Sequence, residues 1–379
     1  MRVAIDAHSV GAGLGGNESY ATNLIEALAD VDGVNDYILY VTTREAVERF
    51  SNRWPNVVVR RTLPHSPLIR IPLTLSIELR RRPVDVLHVQ FTSPPFPPCP
   101  VVVSIHDLSF EHLPDTFNWR SRTQLRITVR RSAQKASQVI TLSQHARSDI
   151  VTTYGLKPDK VNVIPLAAPS YFAPVVDEHE LQRVRQLYGI HGDYILSVGS
   201  IQPRKNLSRL IAAYSSLRGA HSSGKLPQLV LVGKFAWLYD ETLRTIKDLE
   251  VSNSVVLTGY VPEADLPALY SGALCFVYPS YFEGFGLPPL EAMKCGTPVI
   301  VGNQTSLPEV VGPAAVLVDP FDVNDIAAAM ARVSSDLNLR AQLRRLGVER
   351  ARVFDWRDTA LKTLAVYEKA ASIGEQIIS

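Results

Sequence analysis

Short runs of apolar and β-branched residues alternate along the whole chain with longer stretches whose apolar positions recur every three or four residues. That alternation is the pattern of βα units wound around a parallel sheet. In the first half the runs predict strands at 2–7, 37–42, 57–61, 84–90, 101–106, 138–142 and 162–165; in the second half they predict strands at 194–198, 229–232, 255–258, 274–278, 299–301 and 316–318. Most are continuously apolar rather than alternating, as in strands covered on both faces. Helical periodicity predicts helices at 18–29, 120–135, 144–153, 180–188, 207–217, 240–249, 287–294, 323–333, 337–353 and 356–371. A proline-punctuated stretch from Leu166 to Pro174 has no strong period and marks a boundary, giving an expected first domain 1–170 and second domain 171–355. Doubly wound sheets bind ligands at their C-terminal strand ends, so the loops there are where chemistry is sought.

The length of 379 residues fits two domains of about 150–200 residues. Hydrophobic residues at 46% suffice for two cores, and a net charge of +2 speaks against nucleic-acid binding as the main task. Cys99, Cys275 and Cys295 form no CxxC pair and read as thiols of a reducing compartment. The chain opens on an apolar strand rather than a signal peptide, and no apolar run approaches the roughly 20 residues of a membrane span. The expectation is a cytoplasmic protein.

Three constellations carry the chemistry. The first, Gly11-Ala12-Gly13-Leu14-Gly15-Gly16-Asn17, follows the opening strand and precedes a helix. Glycines there let backbone N–H groups approach an anion at a helix N-terminus, although a plain strand-to-helix turn would use the same residues. The second, Ser200-Ile201-Gln202-Pro203-Arg204-Lys205-Asn206, sets two cations at a strand end with no neighbouring acid, which suits a diphosphate. The alternative is a solvated pair, unfavourable against the helix macrodipole unless an anion binds. The third and most specific runs from Tyr278 to Met293. A Gly-Phe-Gly turn leads into Pro288 and Pro289, which fit the first turn of a helix. Glu283 falls before that helix and Glu291 inside it, where it could reach a polyol such as ribose. Capping alone would explain Glu283 but would not require the glycines. His106-Asp107, at a strand end, and Ser143-Gln144-His145, a helix N-cap with a histidine, are weaker pointers.

Other chemistries find no anchor in the sequence. A strand-end DxD, an HExxH, a Cys/His cluster, the GxSxG elbow and the Walker A loop are all missing from it. No metal site is expected.

Taken in order, the glycine loop, His-Asp, Arg-Lys-Asn and the block Glu283-Gly-Phe-Gly-Leu-Pro-Pro-Leu-Glu291-Ala-Met resemble glycosyltransferase family 4 of the GT-B fold. The similarity spans essentially the whole chain and is strongest from Tyr278 to Leu317. It implies an α/β protein with two facing, doubly wound Rossmann-like domains and parallel sheets. Its final helix, 356–379, would pack back on the first, acceptor-side domain. It implies a retaining hexosyltransferase that needs no metal or other cofactor and takes a UDP-glucose-like or GDP-mannose-like donor. The acceptor would be a glycan or a lipid-linked sugar, in bacterial polysaccharide or glycolipid biosynthesis. Arg204 and Lys205 would neutralise the diphosphate with help from the amides of Gly15 and Gly16. Glu291 would hold the ribose, and Glu283 with the amides of Phe285, Gly286 and Leu287 would hold the transferred sugar. His106 would contact that sugar near its 6-hydroxyl, and Tyr260 and Val261 would edge the base. The loop departs from many relatives at Gly16-Asn17-Glu18, where they carry an arginine.

Residues 120–135 carry Arg120, Arg122, Arg126, Arg130, Arg131 and Lys135 without an acid, and Arg80-Arg81-Arg82 adds a second basic cluster. A peripheral contact with the inner face of the plasma membrane would use such a face; a solvated helix would look the same. A nucleotide-sugar epimerase or a non-catalytic nucleotide-sugar-binding subunit are the competing functions, the latter favoured only by erosion of Arg204, Lys205, Glu283 or Glu291.

Overall fold

The structure, a computed structural model, describes residues 1–220 and 226–378, so residues 221–225 of the expected second domain and the last residue of the expected helix 356–379 lie outside the described residues. It divides into two units. One comprises Met1–Pro114, Asn118–Leu166 and the chain from Asp355 onward; the other comprises Asp115–Phe117 and Ala167–Phe354.

The first unit is built on seven strands: β1 Arg2–Asp6, β2 Asp36–Val41, β3 Val57–Arg61, β4 Val86–Gln90, β5 Val101–Ser104, β6 Gln138–Thr141 and β7 Val161–Val163. The second has six: β8 Tyr194–Val198, β9 Gln228–Val232, β10 Val255–Gly259, β11 Cys275–Tyr278, β12 Val299–Gly302 and β13 Ala315–Val318. Their orders are β3-β2-β1-β4-β5-β6-β7 and β10-β9-β8-β11-β12-β13. Neighbouring strands run parallel throughout, for example Ile5 beside His88 and Phe276 beside Val299. Each sheet is therefore α/β and doubly wound in the Rossmann order, with the direction of winding reversing between its first and fourth strands. Central strands such as β11 and β12 are buried along their length, which accounts for their continuously apolar sequence.

Each predicted strand is present within one or two residues. β5 stops at Ser104 rather than 106, so Ile105 and His106 belong to the loop that follows it. The periodic helices are present as well, for example Gly16–Val31, Trp119–Lys135 and Leu287–Lys294. Among the helical segments with no prediction are Arg44–Phe50, Leu266–Ser271, Leu307–Val311 and the broken helix 67–81. The first three are two turns or less, too short for a period to show. In 67–81, Pro67 and Pro72 interrupt the pattern, and Pro72 lies in a π-helical turn over Arg70–Leu75.

The last helix, Trp356–Ile378, packs along Gly16–Val31 in the first unit. Its Tyr367 is fully buried and its hydroxyl meets His88 Nδ1 at 2.6 Å. His88 Nε2 lies 2.7 Å from Ser104 Oγ, which in turn meets Tyr20 Oη at 2.7 Å. Burial pushes His88 down to about 3 and keeps the ring neutral. Thr359 Oγ1 adds a bond to the Pro165 carbonyl at 2.7 Å.

Candidate active site

In the second unit the winding reverses between β8 and β11, and the loops after those two strands carry the cations and the acid. After β8 the chain passes Gly199 and makes a 3-10 turn, Pro203–Lys205. Asn206 ends the turn in the left-handed region (φ 59°), which asparagine tolerates better than most residues. Its side-chain amide donates to the carbonyls of Pro279 (2.9 Å) and Pro320 (2.6 Å), tying this loop to those after β11 and β13. The Arg204 carbonyl accepts from Tyr281 N and Ser280 Oγ, both at 3.0 Å. On the other side, a Cβ at Gly233 would lie 2.1 Å from the Gly199 carbonyl oxygen, so the β9 loop approaches as only glycine allows.

The sequence sets no acid beside Arg204 and Lys205; the fold supplies one from 78 positions on. Lys205 Nζ donates to Glu283 Oε1 at 2.7 Å and Arg204 Nη1 pairs with Glu283 Oε2 at 2.8 Å. Ser280 Oγ (2.6 Å) and Tyr278 Oη (2.9 Å) also donate to Oε1. Lys205 further donates to Tyr278 Oη, its ammonium 4.7 Å from that ring's centroid, and Arg204 donates to the Phe282 carbonyl. Burial alone would raise the Glu283 carboxyl; the charges of Arg204 and Lys205 and the donated hydrogen bonds overturn that and hold it at about 2. The three charged groups form one largely buried cluster of net charge +1.

Beyond Glu283 the chain turns at Gly286 (φ 116°), where a Cβ would meet Leu307 Cδ2 at 2.8 Å. Ser306 Oγ pins the turn by donating to the carbonyls of Glu283 (2.7 Å) and Phe285 (2.9 Å). Helix Leu287–Lys294 then begins with prolines in its first turn, which leaves its N-terminal amides to Leu287 and the residues just before it. Glu291 lies one turn inside that helix and is half-buried; it accepts from Tyr270 Oη at 2.9 Å rather than from the cations. Burial, with a smaller push from the charge of Glu263, raises it to about 7 against the Tyr270 hydrogen bond. Two carboxyls eight residues apart are thus driven in opposite directions. Tyr260 and Val261 follow edge strand β10; Tyr260 is 61% exposed beneath the Lys234 ammonium, 4.5 Å from its ring centroid, and Val261 is buried.

In the first unit Gly15 takes φ 57° at the entry to helix Gly16–Val31 and has open space around it, so its need for glycine is conformational. The departure at Asn17 and Glu18 has a local function. Glu18 accepts from the amides of Gly11 (2.7 Å) and Leu14 (3.1 Å), bracing the loop from inside. Asn17 Oδ1 meets His106 Nδ1 at 3.0 Å. His106 is buried against Tyr20 and Phe91, which lowers it to about 4 and keeps it neutral, and its Nε2 has no hydrogen-bond partner. His145 is exposed, while Ser143 caps its helix through the Ala146 amide at 3.1 Å. The structure thus brings Arg204, Lys205 and Glu283 into contact, joins His106 to the glycine loop, and sets Glu291 on a separate partner. Asn17 and Tyr270 went unread as partners because His106 and Glu291 lie 89 and 21 positions from them. The partners of Glu18, Tyr278 and Ser280 are close in sequence but depend on how the loop folds. Asn206, read only as part of the Arg-Lys-Asn run, carried the signal of a residue that tolerates a left-handed turn. Among the described residues no group of three or more His, Cys, Asp or Glu side chains is placed to hold a metal ion.

The chain is similar to known proteins in sequence and in fold. The model of Glycosyltransferase Family 4 matches residues 14–168, and that of Glycosyl transferases group 1 matches residues 186–350. O-antigen chain mannosyltransferase B of Escherichia coli is 33% identical over 268 residues, 70% of this chain and 70% of that protein. The serotype-specific mannosyltransferase WbdA of the same organism is 34% identical over 230 residues, 60% of this chain but only 28% of its own length. Among solved structures, sucrose-phosphate synthase of Thermosynechococcus elongatus superposes with a TM-score of 0.78 at 21% identity, over 98% of this chain and 100% of that one. HepE of Anabaena, in complex with UDP-glucose, gives 0.75 at 18% identity, over 97% and 99%. With both halves matched by family models and a relative of this identity and coverage, the chain belongs to glycosyltransferase family 4, with the GT-B fold, and is a hexosyltransferase.

Proposed function

We propose that the chain transfers a hexosyl group, mannosyl foremost, from a nucleoside-diphosphate sugar to a growing glycan or lipid-linked saccharide, with retention of the anomeric configuration and without a metal. The observation that carries this is the Arg204–Lys205–Glu283 cluster at the reversal point of the second sheet. As the glycosidic bond to the diphosphate breaks, negative charge grows on the departing phosphate while the sugar gains oxocarbenium character. Cations already fixed in place stabilise that state without reorganising, which lowers the barrier more than it tightens ground-state binding. Glu283 holds both cations in register and remains ionised, so it can also accept a sugar hydroxyl. The amides of Phe285, Gly286 and Leu287 point donors at the same turn, and Glu291 takes the ribose hydroxyls. Tyr260 and Val261 edge the base. In the first unit, His106 Nε2 is a neutral acceptor for a sugar hydroxyl and Gly15 and Gly16 offer amides to a phosphate oxygen. The mannosyl preference rests on relatives named as mannosyltransferases.

The test compares GDP-mannose with UDP-glucose as donors and reads the one-bond C1–H1 coupling of the transferred sugar by NMR, which distinguishes the anomers of mannose as well as of glucose. Lys205→Ala is expected to keep the fold and lose about 3–4 kcal/mol of transition-state stabilisation, a fall in kcat of a hundredfold or more. A variant within about threefold of wild type would sink the diphosphate role.

A further inference from the structure

The broken helix 67–81 exposes more apolar surface than its share. Leu68 (68% exposed), Ile69, Leu73 (57%) and Ile77 all face solvent, and Leu63 joins them from the preceding loop. Ile69, Leu73 and Ile77 recur every four residues, the spacing of one helical stripe. The opposite face is fixed to the first unit. Leu75 and Leu79 are buried there, and Arg70 is fully buried with Nη1 donating to Asp6 Oδ1 at 2.6 Å. The stripe is therefore held outward by an anchored helix, and large apolar side chains grouped in this way mark an interaction surface.

Its surroundings are cationic. From Arg60 to Arg82 the sequence holds six arginines and one acid, Glu78. Glu78 pairs with Arg82 and, at 3.8 Å, with Arg81, whose side chain is still 71% exposed. Arg80 is exposed beside them. The basic helix Trp119–Lys135 is the weaker candidate for the same role. Its Arg126 pairs with Glu111 at 2.6 Å, its Arg122 donates to the Phe110 carbonyl at 3.1 Å, and Arg131 and Lys135 lie over the Phe96 ring.

We infer that the apolar stripe of 67–81, flanked by Arg80–Arg82, docks the protein on an anionic lipid bilayer. Leu68, Ile69, Leu73 and Ile77 enter the headgroup–acyl boundary, and the arginines meet the lipid phosphates. This adds a location to the proposed transfer to lipid-linked saccharides, and it rests on that reading only for its purpose. The vesicle measurements below involve no turnover, so they stand or fall independently of the transferase chemistry.

The full chain is sedimented with vesicles of phosphatidylcholine containing about 30% phosphatidylglycerol, and with phosphatidylcholine alone. Wild type is expected to bind the anionic vesicles at low salt and the neutral ones at least tenfold more weakly. Ile69→Asn/Leu73→Asn/Ile77→Asn should lose binding by a hundredfold or more, since each buried aliphatic side chain is worth about tenfold. Arg80→Ser/Arg81→Ser should lose about tenfold and flatten the salt dependence. Hydrogen–deuterium exchange of unmodified protein guards against a misfolded variant: vesicles should slow exchange in 63–82. The inference is overturned if wild type ignores anionic vesicles, if the triple variant binds as well as wild type, or if protection appears elsewhere and not in 63–82. It is equally overturned if wild type is a dimer in solution that the triple variant converts to a monomer, because a second copy then covers the stripe.

Discussion

Glu283 and Glu291 share one loop-and-helix segment, and their neighbours decide their charge. Glu283 sits between two cations and is held at about 2, whereas Glu291 has only the Tyr270 hydroxyl and burial lifts it from about 4.5 to about 7. The raised group has a definite sign in linkage. Its contribution to stability is fully present below about 4.5 and is lost as pH rises through about 7, because the folded state must then carry a poorly solvated charge that the unfolded chain hydrates. Ribose hydroxyls donating to Glu291 would favour the ionised form. Donor affinity is therefore expected to weaken by about tenfold between pH 8 and pH 6, as the ionised fraction falls. Calorimetry with an intact nucleotide-sugar avoids the titrating terminal phosphate of a free diphosphate. Glu291→Gln should bind more weakly and lose the pH dependence; a wild-type profile that stays level from pH 6 to 8 would exclude contact between Glu291 and the ribose.

The elements around the site are positioned by backbone contacts that leave little room for substitution. Gly233 is the tightest case, since its φ of 150° and the 2.1 Å approach of a would-be Cβ to Gly199 O both exclude a side chain. Gly233→Ala should destabilise by about 1–3 kcal/mol and reduce kcat together, since the displaced Gly199–Ile201 backbone leads into Arg204 and Lys205. Gly33→Ala, at an ordinary φ with nothing within 4 Å, is the control expected within about 0.5 kcal/mol. Equal melting temperatures for the two variants would contradict the packing argument. The same distinction explains what was legible beforehand. Strands such as β11 and β12 announced themselves because burial on both faces demands unbroken apolar runs, and the glutamates stood out because two glycines and two prolines separated them. The pairing of Arg204 and Lys205 with Glu283 was not legible, because it arises only when the loops after β8 and β11 meet. Glu18 looked like a departure from the family and proves to brace its own loop, a role defined by the amides of Gly11 and Leu14 rather than by position in a motif.

At the scale of the molecule, the order of the chain and the order of the units differ. The first unit is closed by residues more than three hundred positions from its start. Helix Trp356–Ile378 buries Ala360, Val366, Tyr367 and Ala370, and Tyr367 completes the hydroxyl–imidazole chain through His88 and Ser104 to Tyr20. Removing that helix exposes the apolar face of Gly16–Val31 and strips His88 Nδ1 of its partner in a buried setting. Each large side chain lost costs about 1.5–3 kcal/mol and the unpaired polar group about 1–3 more, together comparable to the whole stability of a domain. A chain ending at Phe354 should therefore lose slow hydrogen exchange across β1, β4 and β5 while keeping it in β8, β11 and β12, whose core residues Ile195, Val277 and Ile300 are internal to the second unit. Tyr367→Phe, which keeps the ring and deletes only the hydroxyl, should cost about 1–3 kcal/mol in the first unit alone. Uniform loss of protection across both sheets would show the two to be one cooperative unit, and unchanged protection in β1, β4 and β5 would show that the last helix is dispensable to the first.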